Sequence, residues 1–151
     1  MVWHIYLRNR MAFIPTVTQT DAGFYLDINP VGVVSAADIE ALRHAVKQAI
    51  GLGNPKVPTP TRIAFPKPVV LKYAKVKSWS AFEKGCLCWT IVEKDGAYHV
   101  IQGRKRSDHG WEDDPDRIEV LPRGISIEEV AQRVTSSVQA TLEGYEETRS
   151  K

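Results

Sequence analysis

Asp95-Gly96 is the feature that most narrows what this chain can fold into. Two runs of strand-type residues, CLCWTIVE and AYHVIQGR, meet at Lys94-Asp95-Gly96-Ala97. A two-residue turn whose twist matches its flanking strands needs positive φ at both central positions, and Asp-Gly supplies this at little steric cost. The dipeptide commits residues 86–104 to an antiparallel hairpin. In its first strand Cys86 and Cys88 fall two apart, so their thiols share one face and are too close in sequence for an unstrained disulfide. Both are expected to be free, core-facing thiols in a reducing compartment.

Around the hairpin the chain reads as strands and helices in turn. Val2–Leu7 has loose alternation, either a strand or an ordered tail, and a second methionine at Met11 leaves the start open between Met1 and Met11. Ala12–Thr18 and Gly23–Ile28 are β-rich runs joined through Gln19-Thr20-Asp21-Ala22. Ser35 with Asp38 three residues on predicts a capped helix start, and Ile39, Leu42, Val46, Ala49 and Ile50 follow at helical spacing up to Gly51. Residues 54–68 hold five of the nine prolines. Proline fixes φ and removes a donor, so this segment is expected to be an extended crossing loop. Val69–Tyr73 reads as a strand. Lys75–Gly85 is either one helical turn capped by Ser78 or a loop laying Trp79 and Phe82 on the core. Ser107–Asp116 reads as polar loop and Arg117–Leu121 as a short strand. Ser126 with Glu129 caps a last helix whose apolar stripe is Ile127, Val130, Ala131, Val134, Val138 and Leu142, with Gly144 as its stop and residues 145–151 as a frayed tail.

This order, β-β-α then β-β-β-β-α, predicts an α+β protein: an antiparallel sheet with two amphipathic helices packed on it, forming a single domain over residues 1–151. With 43% hydrophobic and 25% charged residues, 151 residues suffice for one proper core. A net charge of +2 does not call for nucleic acid or membrane as partner. The amino terminus lacks the pattern of a secretory signal and no long apolar run is present, so a cytoplasmic protein without membrane contact is expected.

Several side-chain sets carry groups capable of chemistry. Cys86 and Cys88 with His99 and His109 offer zinc-type donors, but Cys-x-Cys replaces the usual two-residue gap, and buried apolar thiols explain the pair more simply. Cys88, His99, Glu112 and Asp113 can be assembled into a nucleophile–base set, yet nothing in the sequence positions them, and no phosphate-binding glycine loop or nucleophile turn is present. No catalytic, cofactor-binding or metal-binding residue is therefore assigned, and the chain is not expected to be an enzyme. From Lys67 to Arg106 nine Lys and Arg outnumber three Asp and Glu, interleaved with Tyr73, Trp79, Phe82, Trp89 and Tyr98. Such a face can hold single-stranded nucleic acid, but a solvated outer face with its aromatics turned into the core is the preferred reading. From Asp108 to Glu119 the balance reverses to six acids against Arg117 alone. Six acids in a loop are most simply a solvated face, and oxygen ligands could hold a divalent ion, though without the spacing of a calcium loop. Between these readings, an aromatic ringed by acids suits recognition of a basic protein partner, for which Trp111, Glu112, Asp113, Asp114 and Asp116 form the candidate binding set.

Two family resemblances bear on function. Lys75-Val76-Lys77-Ser78-Trp79-Ser80-Ala81-Phe82-Glu83, the WTIVEKDGAYHV hairpin, Gly110-Trp111-Glu112-Asp113-Asp114, Leu121-Pro122 and Gly124-Ile125-Ser126-Ile127-Glu128-Glu129-Val130 together resemble bacterial immunity proteins of contact-dependent growth inhibition systems. That likeness covers roughly the C-terminal half. It implies a small cytoplasmic inhibitor that binds the C-terminal toxin domain of a delivered effector, often a nuclease, and blocks its active site. Asp21-Ala22-Gly23-Phe24-Tyr25, with Pro30, Gly32, Ser35 and the helix carrying Ala45 and Ala49, looks like the ribonuclease-H-like lobe of HicB-type antitoxins. Here the usual Pro-Asp-x-Pro-Gly turn is reduced to Asn29-Pro30-Val31-Gly32 and no DNA-binding segment follows. Both imply a stoichiometric antidote to a toxic protein; a small nucleic-acid-binding module is the third alternative.

Overall fold

The computed structural model describes residues 1–150, with side chains through Gly144. The expected frayed tail over 145–151 lies outside the residues whose side chains are described. A seven-stranded sheet is built from β1 (Val2–Arg8), β2 (Met11–Thr20), β3 (Tyr25–Ser35), β4 (Lys56–Val57), β5 (Cys86–Lys94), β6 (Ala97–Lys105) and β7 (Trp111–Val120). Its spatial order is β3-β2-β1-β5-β6-β7, antiparallel throughout, with the short β4 added parallel to β2. Four helices complete the fold: α1 (Ile39–Gly51), α2 (Val70–Ala74), α3 (Trp79–Glu83) and α4 (Ile127–Ser150). The α+β class, the antiparallel sheet and the two long helices packed on it are as the sequence implies.

The hairpin at the centre of the sequence argument forms as expected, with Asp95 at φ 54° and Gly96 at φ 80°. A second two-residue turn joins β1 to β2 through Asn9 (φ 51°) and Arg10 (φ 65°), a place where no glycine advertises it. Far from being a tail, Val2–Leu7 lies within the central strand, paired from Val2 to Arg8 with Val92 to Cys86. With β2 it pairs only at its other end, Tyr6–Arg8 against Phe13–Met11.

Beyond that point β1 and β2 part, and a side chain fills the gap. Asn54 accepts from the Val2 amide (2.9 Å) and donates to the carbonyls of Val2 (2.8 Å), Val17 (3.0 Å) and Gly53 (3.1 Å). The adjoining chain then continues the pairing: Gln19 N donates to Pro55 O (3.0 Å), and the Thr18 hydroxyl donates to the same carbonyl. The Pro-rich crossing loop is thereby tied to the sheet at its start and forms β4. One carboxamide with both donor and acceptor thus stands in for missing ladder bonds that buried backbone cannot forgo.

One face of the sheet is sealed by α1 and α4. Leu42, Val46, Ala49 and Ile50 of α1 and the stripe Val130, Ala131, Val134, Val138 and Leu142 of α4 bury against Trp3, Ile5, Ala12, Ile14, Trp89 and Ile91. Each fully buried aliphatic side chain there stabilises by about 1.5–3 kcal/mol in transfer terms. The indole N–H of Trp89 is satisfied by Ser137 Oγ (3.0 Å). Gly32 keeps α1 close, since a Cβ there would lie 3.3 Å from that of Ala45. Ser126 caps α4 through the Glu129 amide (3.2 Å).

Four expectations are corrected, and the alternative left open over Lys75–Gly85 is resolved as the Ser78-capped turn. Val69–Tyr73 is helical, as α2, because Pro68 O accepts from Leu71 N (3.2 Å) and Lys75 closes the turn at φ 58°. A short continuous apolar run carries no period that separates strand from buried helix. Lys75–Gly85 resolves to α3, capped by Ser78 Oγ on the Ala81 amide (3.1 Å). Asp38 rather than Ser35 is the N-cap of α1, accepting from Ala41 N (3.1 Å). The acidic stretch is not a loop: β7 begins at Trp111. As an outermost strand it bonds on one side only and tolerates both Pro115 and a row of solvated acids. Last, α4 does not stop at Gly144.

Replacing Asn54 with Ala strands main-chain groups of Val2 and Val17 against a gap and is expected to cost about 2–4 kcal/mol in urea unfolding. Asn54→Asp keeps the acceptor for Val2 but loses every donor, and should fall nearly as far.

Candidate binding groove and acidic edge strand

The second face of the sheet is only partly covered. Strand alternation places Tyr6 beside Cys88 and His4 beside Thr90 across β1 and β5, and Gly103 beside Asp113 across β6 and β7. The short helices α2 and α3 cover part of this surface with Val70, Leu71 and Phe82, packed on Tyr6, Phe13, Cys86 and Cys88. What remains open is a groove from β3 to β7.

Aromatic rings form its wall. Tyr6 meets Phe82 (5.4 Å), Trp111 (5.9 Å) and Trp79 (6.1 Å between centroids), while Trp79 stacks on Phe82 at 5.2 Å and meets Trp111 edge-on at 5.8 Å. The Trp111 indole donates to Cys86 O (3.3 Å), and Lys105 Nζ lies 4.9 Å from its ring centroid. Trp111 can approach this closely because residue 103 is glycine, where a Cβ would lie 3.1 Å from that of Trp111. From β3, Asp27 reaches under the rim, its Oδ1 2.7 Å from His4 Nδ1 and its Oδ2 accepting from the Tyr6 hydroxyl (2.6 Å). Burial, and then the Asp27 carboxylate, push the Tyr6 phenol well above its ordinary pKa, so it stays a donor.

Glu83 at the end of α3 anchors the turn leading into β7. It accepts from the Gly110 amide (2.7 Å) and faces His109 Nδ1 (3.2 Å) and Lys105 Nζ (3.5 Å). Burial alone would raise its carboxyl, but the Gly110 amide, His109 and Lys105 outweigh this and hold it below the ordinary 4.5. Because the folded value lies below the unfolded one, the stability Glu83 contributes is fully present above the unfolded value and is lost as pH falls through the folded one. Glu83→Gln should therefore destabilise most near neutral pH and least in acid, read from urea midpoints at the two ends of that range.

The five residues expected to bind a partner have unlike roles. Trp111 is half-buried and spent on internal contacts, so it is not a free aromatic anchor. Glu112 is held by Arg104 (2.9 Å), and Asp114 accepts from the Asp116 amide (3.0 Å) and lies 3.7 Å from Arg117 Nε. Asp113 and Asp116 are exposed and have no cationic partner among the described residues. Glu119, further along β7, pairs with Arg133 of α4 (3.1 Å).

The other sets are dispersed. His109 is committed to Glu83, and His99 lies at the Val92–Val120 end of β6, about 13 Å along the strand from Gly103. Glu112, next to Asp113 in the strand, is taken up by Arg104. Among the described residues no group of three or more His, Cys, Asp or Glu side chains is gathered to hold a metal. Cys86 and Cys88 are free and buried on one face, as the spacing implies. Burial pushes the Cys86 thiol up to about 12; burial and then its neighbour Cys86 push Cys88 up as well. That is the reverse of what a nucleophilic thiolate needs. Thiol reagents at neutral pH are expected to modify neither cysteine in the native protein and both on unfolding. Nor do the cations of residues 67–106 form one stripe. Lys94 is at the tip of the β5–β6 hairpin, and Arg104, Lys105 and Arg106 at its far end pair with Glu112, Glu83 and Asp108. His4, Tyr6 and Asp27 went unnoticed in the sequence; the only signal was a carboxylate between Leu26 and Ile28 in a strand.

The fold has a counterpart in Neisseria meningitidis. A solved structure of a protein of unknown function from that organism matches with a TM-score of 0.62 over 90% of this chain and 93% of that one, at 15% identity. That likeness concerns the fold alone. No protein-family model matches the chain, and no curated protein does. Among the described residues, no helix is long and apolar enough to cross a membrane.

Proposed function

We propose that this chain is an immunity protein of the contact-dependent growth inhibition type, acting in the cytoplasm as a stoichiometric inhibitor of a toxin domain that is itself a nuclease. The observation that carries the reading is the acidic outer strand β7, where Asp113 and Asp116 stand exposed without cationic partners among the described residues, Asp113 beside a half-open aromatic groove. A nuclease must present cationic side chains to hold its phosphate substrate, and carboxylates on an inhibitor match them in sign. Steering by such acids raises the association rate, and apolar contact around the groove supplies affinity once water is excluded. The resemblance of residues 75–130 to immunity proteins points the same way, and the reading assigns the chain no catalytic turnover of its own.

The test is protection of cells that express the toxin domain encoded beside this chain, together with association kinetics of the purified pair. Asp113→Lys combined with Asp116→Lys should slow association at low salt by about tenfold or more and weaken protection. The difference should shrink as salt rises, and the melting temperature of the free protein should barely move, since both side chains are solvated. Wild-type association and full protection by the doubly reversed variant would refute the role given to β7.

A further inference from the structure

We propose that the groove between Trp79 and Asp113 receives the guanidinium group of an arginine side chain from a protein partner. The inference rests on the binding role above and adds to it a specific recognition chemistry. The cavity is lined by Trp79, Trp111, Thr90, Gly103, Glu112 and Asp113 among others, and encloses about 170 Å³. Small-molecule sites usually exceed ~300 Å³, so this volume suits one side-chain head rather than a free metabolite.

The lining selects the head. An indole face attracts a cation, and a carboxylate beside it completes a site for a planar group that can stack on one and hydrogen-bond the other with two parallel N–H donors. Lys105 Nζ, 4.9 Å from the Trp111 centroid, already shows this aromatic wall holding a cation. The remaining charges do not fill the role in the free protein. Arg104 is engaged by Glu112, which also lines the cavity, Lys105 is engaged by Glu83, and Asp27 is hydrogen-bonded by His4 and the Tyr6 hydroxyl, which leaves Asp113 as the groove carboxylate without an ion-pair partner among the described residues.

The source of the arginine follows from what adjoins the groove. Past His4, Tyr6 and Trp79 it opens into a wider trough of about 470 Å³ walled by Leu26, Phe65, Pro66 and Pro68. At its rim Phe24 stacks on Phe65 at 6.3 Å, the two being 39% and 53% exposed. A free arginine molecule would leave this apolar trough wet. A polypeptide can seat an arginine in the narrow end and lay neighbouring apolar residues along the trough.

Ethylguanidinium is the probe, with neutral ethylurea of similar shape as control, titrated into ¹⁵N-labelled protein while the four indole N–H resonances are followed, those of Trp79 and Trp111 assigned with Trp79→Phe and Trp111→Phe. Saturable shifts at Trp79 and Trp111 are expected with a dissociation constant on the order of 1–10 mM, as befits so small a ligand. Ethylurea should give no saturable shift. Asp113→Asn should weaken binding by about tenfold or more, whereas Asp116→Asn, the same charge change outside the cavity, should leave it unchanged. The proposal is overturned by any of three results: no saturation with ethylguanidinium, an equal response to ethylurea, or equal losses from the two variants. Failure here would leave the protection and kinetic test of β7 standing, and failure of that test would leave this site standing.

Discussion

Everything in this fold hangs on the pairing of β1 with β5. The first strand is hydrogen-bonded along its whole length to a strand from the other half of the chain, and to its own hairpin partner over only three positions. The N-terminal β1–β2–β3 unit and the β5–β6–β7 meander are thereby one sheet with one core. β1 and β2 pair only at Tyr6–Arg8 against Phe13–Met11, and further along β2 the facing edge is taken by β4 at Gln19 and Thr20. Asn54 and the chain behind it make good the bonds forgone between the two.

A single sheet built this way presents two unlike faces. One is sealed by two long helices whose stripes are wide enough to exclude water from Trp3 and Trp89. The other has only α2 and α3, each about one and a half turns, which cannot cover a surface six strands wide. Their contribution is local: Phe82 and Trp79 extend an aromatic cluster over Tyr6, and Glu83 fixes the turn that sets the course of β7. The groove and the acids at its border are thus products of incomplete coverage.

Much of this was legible in residue patterns. Asp95-Gly96, the stripe from Val130 to Leu142 and the Cys86–Cys88 spacing each state a local rule that tertiary structure obeyed. Val69-Val70-Leu71 misled because an unbroken apolar triplet has no period. Residues 111–116 misled because acids and Pro115 resemble loop chemistry, although a strand with one bonded edge and a solvated flank accommodates both. For the groove, Trp111 and Asp113 were visible as an aromatic beside acids, but its opposite wall was not. His4, Asp27 and Trp79 come from three separate elements, and only strand register and the placement of α3 bring them to one place.

The central position of β1 also has a temporal side. Its partner strand is made much later by the ribosome, and at roughly 5–20 residues per second a nascent chain spends seconds with β1, β2 and β3 formed at most as a meander whose inner edge is bare. Loop closure over so long a separation must precede any gain from the pairing, which places this protein among slow-folding, high-contact-order topologies. In that interval Trp3, Ile5 and Leu7 are open to the wrong neighbour. The supply of the folded protein is then governed by folding as well as by synthesis.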